Sequence, residues 1–290
     1  MYINEFTDNN IVYSIDMIRL KTYITYSIFT EIEFRFKTCW SKYVKKFYTS
    51  PHQQQFFYNY NIEVGDNQSF WFGFCHNTER RSFSDKAEYN FTIEFNPNKL
   101  KNNKIIKYLL SLSGEWFLKS YDIALDLKIN ILDLIIDTSG RHTFKMMSNG
   151  YDDKTYYYGK GDGRVKIYNK KKESNLSVNY ELTRVELSRE MEDFPISNVK
   201  NLEYDGNFPV VYLNDYVYSL SDYEDKTLLA LLYAVQGGYP LKELTRRYRE
   251  KIRSLFEGGH KITFNSRIVT QSLRKTVFYY FIDNPLIKWK

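Results

Sequence analysis

Proline and glycine are scarce in this 290-residue chain, at 6 and 13 residues, which excludes a collagen-like or low-complexity architecture. Cysteine is scarcer still. Cys39 and Cys75 give no zinc spacing and no disulfide framework. Long apolar runs are also missing: stretches such as Leu228 to Val235 fall far short of the ~20 residues that span a bilayer, so no membrane partner is expected. The opening residues, Met1-Tyr2-Ile3-Asn4-Glu5, have neither the basic flank nor the apolar core of a signal peptide. A soluble cytoplasmic protein is the expectation.

Aromatic residues are abundant, with 27 Tyr and 21 Phe, and the 43 % hydrophobic content is enough for a packed core. The net charge of +6 is unevenly placed. From Asp222 to Lys290 there are 13 Lys+Arg against 7 Asp+Glu, whereas the first 221 residues hold 28 of each sign. A basic last quarter points either to a polyanion, most often nucleic acid, or to a solvated helix surface.

Up to about residue 220 the chain reads mostly as short strands. Ile11–Leu20, Glu31–Lys37, Phe56–Val64, Ser69–Cys75 and Tyr89–Phe95 are aromatic or β-branched and bounded by turn residues. Leu100 to Leu112 carries helical spacing instead. Strands resume at Tyr121–Lys128, Thr143–Met147, Thr155–Gly159, Arg164–Asn169, Tyr180–Arg189 and Val210–Tyr218. The expected fold is α+β, with a mainly antiparallel sheet carrying the active site on one face and a basic helical C-terminal region. Gly159-Lys160-Gly161-Asp162-Gly163 joins two of these strands and reads as a hairpin turn, since it lacks the spacing of a phosphate loop.

A soft boundary near 220 divides a strand-rich domain, 1–220, from a helical region, 221–290. Leu228 to Val235 forms one helix and Gly237-Gly238 stops it. Leu241, Leu244, Tyr248, Ile252 and Leu255 then stripe a second helix that starts near Pro240. Lys242, Arg246, Arg247, Arg249 and Arg253 occupy its other faces, as a helix-turn-helix element or an ordinary αα-hairpin would place them.

Alternation along three strands gives the sharpest signal. Asp122 and Asp126 share one face, with Ala124 between them. Lys166, Tyr168 and Lys170 share a face, as do Arg184, Glu186 and Ser188. If the strands are neighbours, these faces form one polar patch. Converging carboxylates there suggest Mg²⁺ or Mn²⁺, and a tyrosine beside the ion and lysines can act as a nucleophile on a phosphoryl group. The plainer alternative is the wet side of an antiparallel sheet.

At these same residues the chain resembles the rolling-circle replication initiators of Gram-positive plasmids and related conjugative relaxases, the Rep-trans group. The matching residues are Tyr121-Asp122-Ile123-Ala124-Leu125-Asp126, Tyr156-Tyr157-Tyr158-Gly159, Arg164-Val165-Lys166-Ile167-Tyr168-Asn169-Lys170 and Thr183-Arg184-Val185-Glu186-Leu187. More loosely, Phe91 to Lys99 fits as well. The resemblance covers about residues 85 to 190. It implies nicking of one DNA strand at an origin, with Tyr168 as the nucleophile and Asp126, Glu186 and Asp122 as ligands of the ion. Lys166 and Lys170 would assist the tyrosine, and Arg164, Lys171 and Arg184 would contact DNA. Origin DNA, single-stranded or extruded at the cut, would be the substrate. A host helicase and polymerase would be partners, and a homodimer is allowed. Two departures stand out. The residue after the tyrosine, usually acidic in the group, is Asn169. No His-hydrophobic-His motif is formed by His52, His76, His142 or His260, unlike nickases that hold their ion with histidines. The alternative is a non-enzymatic DNA-binding initiator or regulator with a degenerate nicking domain.

Overall fold

The computed structural model describes residues 6–8, 11–44, 46–49, 56, 58–66, 68–76, 89–137, 143–148, 154–213, 225–237, 239–256 and 261–282. Its centre is an antiparallel sheet of eleven strands. In spatial order the main path runs β3 (Lys46–Thr49), β4 (Tyr58–Gly65), β5 (Gln68–His76), β6 (Tyr89–Phe95), β2 (Ile11–Ile24), β7 (Phe117–Leu127), β12 (Thr183–Pro195), β11 (Val165–Asn169), β10 (Lys154–Tyr158) and β9 (Phe144–Ser148). The short β1 (Phe6–Asp8) pairs with β2 off this path.

Alternation decides which face is buried. Ile123 and Leu125 of β7 lie in register with Leu187 and Val185 of β12, and these with Val165 and Ile167 of β11; Tyr121 and Leu127 share their face. All are buried. The same face continues through Leu20, Ile93 and Phe72. Three helices join this core: α1 (Tyr26–Lys37), α2 (Lys104–Ser111) and α6 (Ser266–Val277). Each large apolar side chain removed from water there contributes about 1.5–3 kcal/mol. The opposite face keeps its polar residues.

A second sheet, β14 (Lys261–Ile262), β13 (Val210–Leu213) and β8 (Leu134–Asp137), supports α4 (Lys226–Gln236) and α5 (Arg246–Phe256); α3 is the single turn Lys170–Glu173. Ile135 and Tyr212 pack there with Leu228, Leu232, Val235, Leu241, Leu244, Ile252 and Phe256. No helix among the described residues is long and apolar enough to cross a membrane.

Three expectations change. Glu31–Lys37 is the second half of α1 and not a strand. Its Glu-Ile-Glu-Phe-Arg-Phe alternation mimics period two, but Phe29, Ile32 and Phe36 are the buried set at helical spacing, and Phe34 is exposed. The basic helix begins at Arg246 and not near Pro240, because a separate 3-10 turn at Leu241–Glu243 comes first. The segment after 220 also has two allegiances. The pair α4–α5 packs on the small sheet, whereas Val269, Leu273 and Val277 of α6 sit in the main core with Tyr280 and Phe281. Residues 214–218, expected to prolong β13, lie outside the described set.

The glycine-rich hairpin is as expected. Gly159, Gly161 and Gly163 have φ of +77°, +56° and +71°, the left-handed region that residues with a Cβ enter at a cost. The tight turn they permit sets Tyr158 against Val165 and so fixes the register of the next strand.

Candidate active site

The strands that carry the polar patch are neighbours, in the order β7–β12–β11. One cross-strand row reads Tyr168, Arg184, Asp126; the next reads Lys166, Glu186, Ala124; Ser188 then faces Asp122. Directly opposed side chains lie within contact range, and diagonal ones are still reached by long residues. On β2 the first row continues to Val12 and the second to Ser14.

Tyr168 makes such a diagonal contact. Its hydroxyl donates to Glu186 Oε1, and the residue is only 3 % exposed. Lys166 Nζ sits 4.0 Å from the centroid of the Tyr168 ring and 3.6 Å from Glu186 Oε2. Lys170 Nζ lies 5.7 Å from the same ring and pairs with Glu173 at 2.8 Å. Burial, together with the adjacent Glu186 charge, holds the Tyr168 phenol well above its ordinary pKa. A free phenolate is therefore disfavoured. Any attack by this oxygen must be coupled to proton transfer, and Glu186 is placed to receive the proton.

Arg184 is buried, and it links three strands. Its Nε and Nη2 donate to the two oxygens of Asp126 at 2.6 and 2.7 Å, and Nη1 reaches Asp16 at 3.2 Å. Burial opposes the guanidinium charge, but Asp126 and then Asp16 more than offset it and keep its pKa above the usual arginine value. Asp16 also accepts from Asn96 Nδ2 at 2.9 Å. The sequence reading missed Asp16 and Asn96. Asp16 follows Val12 and Ser14 at intervals of two, so alternation along β2 carries it onto the face of Asp126; the register shift between Ile15 and Met17 changes faces only for the residues after it.

Asp122 is placed opposite Ser188. Burial raises its carboxyl to a pKa of about 6, against the opposing effects of the Ser188 hydrogen bond and Arg164, and with the Glu186 and Glu94 charges adding to the rise. Arg164 itself is exposed and donates to Ser188 Oγ at 2.9 Å. Lys171 pairs with Glu181 at 2.8 Å. Asn169 is buried and caps α3, accepting from Lys172 N at 3.0 Å. Of the three consecutive tyrosines, Tyr156 and Tyr158 are buried in the core. Tyr157, opposite Lys166, is the one on the polar face.

The three carboxylates expected to hold Mg²⁺ or Mn²⁺ do not fit an ion in this arrangement. Both Asp126 oxygens are taken by Arg184, the Glu186 oxygens serve Tyr168 and Lys166, and Asp122 is separated from Asp126 by Ala124. Among the described residues, no group of three or more His, Cys, Asp or Glu side chains is arranged to hold a metal.

Beside the patch lies a cleft of about 620 Å³ lined by Asp16, Asn96, Lys99, Asp126, Lys170 and Arg184 among others. The basic residues of the C-terminal region are elsewhere, and they divide in two. Arg246 and Arg247 are exposed and border an open depression with Glu250 and Lys251. Lys242, Arg249 and Arg253 are half-buried. Arg253, expected to face phosphates, instead grips the buried Asp137 of β8, with Nη2–Oδ1 at 2.8 Å. Arg249 reaches the Lys242 carbonyl at 3.4 Å, and Lys242 Nζ lies 3.6 Å from Glu243.

No family model matches the chain. No curated protein matches it in sequence. A solved structure, the rolling circle replication initiator protein from Geobacillus stearothermophilus, is similar over 85 % of this chain and 97 % of its own, with 12 % identity and a TM-score of 0.36.

Proposed function

We propose that this chain is a DNA replication initiator that nicks one strand at an origin, for rolling-circle replication or conjugative transfer. The observation that carries the reading is the juxtaposition, by strand register, of Tyr168, Glu186 and Lys166 beside the Arg184–Asp126 pair on the polar face of the sheet. In the proposed step the Tyr168 oxygen attacks the scissile phosphorus as its proton passes to Glu186. The bond from phosphorus to the 3′ oxygen breaks, leaving a 5′-phosphotyrosyl link, and the departing oxygen takes a proton from Lys166. The freed 3′-OH can then prime a host polymerase behind a host helicase. Lys166 and Lys170 supply positive charge against the phosphoryl oxygens. No step runs through Mg²⁺ or Mn²⁺: for these carboxylates to hold an ion, Asp126 would first have to release Arg184, and Glu186 would have to release Tyr168 and Lys166.

The test is a denaturing gel of the protein incubated with a single-stranded oligonucleotide from the origin of its own element, with divalent ion or with chelator. A denaturation-resistant adduct that Tyr168→Phe abolishes is the expected result, and loss in chelator would establish the ion. A second reading, a non-enzymatic DNA-binding initiator or regulator, is favoured by the burial of Tyr168. It predicts origin binding with no adduct under any condition.

A further inference from the structure

A second cleft, of about 640 Å³, opens where the β6–α2 connection meets the end of α1. Two aromatic residues, Trp40 and Tyr43, line it together with Lys99, Lys101 and Lys104. Gln68 and Asn102 add amide groups. No carboxylate lines it among the described residues. Lys99 lines this cleft and also the one beside Tyr168, so the two share a wall.

The walls are held in place from below. Asn96 Oδ1 accepts from Asn98 N at 2.9 Å and Lys99 N at 3.0 Å, while Asn96 Nδ2 ties the same turn to Asp16 and so to Arg184. The Tyr280 hydroxyl donates to the Pro97 carbonyl at 2.8 Å, and Tyr279 meets Lys101 O at 2.6 Å and Asn102 Oδ1 at 2.7 Å. Trp40 is braced edge-on by Phe36 at 4.8 Å and Tyr108 at 5.2 Å. Tyr43, by contrast, is 57 % exposed, with Lys42 Nζ 4.8 Å from its ring.

We infer that this cleft holds an unpaired nucleic-acid strand that continues past Lys99 toward the Tyr168 site. A groove of one charge sign attracts a phosphate backbone, and an exposed ring beside it offers a face on which any base stacks. An acidic peptide would satisfy the lysines and leave Tyr43 without a planar partner. The path toward Tyr168 rests on that site being a nucleic-acid site, whereas binding in the groove itself needs no strand cutting.

The experiment uses full-length protein carrying Tyr168→Phe, so that binding is read without cutting. Fluorescence anisotropy with a labelled oligothymidylate is compared with an abasic phosphodiester of equal length. Tyr43→Ala should weaken oligothymidylate binding about five- to tenfold or more and leave the abasic strand unaffected. Lys101→Gln and Lys104→Gln should each lower the slope of log affinity against log salt by about 0.7. Thermal melting confirms that these surface variants stay folded. Parental affinity in Tyr43→Ala and the lysine variants overturns the proposal. So does competition by polyglutamate that matches the oligonucleotide at equal charge. Absence of an adduct with the unmutated protein, while these binding effects persist, sinks the cutting reading alone.

Discussion

Arg184 on β12 grips Asp126 on β7 through both carboxylate oxygens, at 2.6 and 2.7 Å. The pair lies next to Tyr168 in one cross-strand row, so it sets the floor of the candidate site. Both side chains are largely buried. Removing one partner leaves the other charge desolvated and uncompensated. Arg184→Gln should therefore cost about 3–5 kcal/mol. Replacing the pair together, as Arg184→Met with Asp126→Leu, should cost less than Arg184→Gln alone. Urea unfolding of the two variants checks this, and equal losses would mean that the pair contributes as independent residues.

Asp122 gives stability a pH dependence. Its folded-state pKa is raised by burial to about 6 from an ordinary 3.8, so the native chain binds this proton more tightly than the unfolded chain does. The sign follows. Between pH 4 and 6 the native state holds more protons, and stability falls as pH rises. Above pH 6 the full cost of a desolvated carboxylate is present, on the order of 2–3 kcal/mol. Asp122→Asn keeps the volume and removes the titration. Its stability relative to the parent should be constant below about pH 4, grow between 4 and 6, and stay level above. A difference that does not change from pH 3 to 8 would remove Asp122 from this role.

The polar patch was legible because alternation is a local property: Asp122, Asp126, Lys166, Tyr168, Arg184 and Glu186 each declare a face within a few residues. Partner identity is not local. Arg247 and Arg253 look alike along the sequence, and only the fold brings Asp137, 116 residues distant, against one of them. Asp16 shares the parity of Val12 and Ser14, so its face was legible in β2, but only the fold shows that β2 lies beside β7 and that Arg184 reaches it. α1 was misread in part because Phe34, an exposed aromatic, completes a false strand pattern with Ile32 and Phe36.

The placement of α6 predicts the outcome of shortening the chain. Leu273 and Val277 are fully buried in the core beneath the large sheet, with Tyr280 and Phe281 beyond them. A chain ending near Ser221 would expose the apolar surface of β2 that α6 covers, and it should be insoluble or molten rather than a working sheet domain. A point variant tests the same packing more gently. Leu273→Ala should destabilise by about 2–5 kcal/mol, as buried leucine truncations do. A soluble, cooperatively melting 1–221 fragment would show that α6 is dispensable.

Arg247 and Arg253 should separate binding from stability within one helix. Arg247 is exposed on the depression formed with Arg246 and Lys251, and its guanidinium lies 5.9 Å from the Tyr248 ring. It is available to a phosphate. Arg253 is bound to Asp137, whose side chain is 3 % exposed, and this contact ties α5 to β8. Arg247→Gln should leave the melting temperature unchanged and lower the salt slope of duplex binding by about 0.9, one phosphate contact's worth, whatever the sequence. Arg253→Gln should instead strand a buried carboxylate and cost about 3 kcal/mol or more. Any loss of DNA affinity it causes should follow the loss of fold and be repaired by Asp137→Asn in the same chain, which removes the orphaned charge. If Arg253→Gln melts like the parent yet lowers the salt slope, Arg253 faces DNA and the Asp137 contact is not what holds α5 in place.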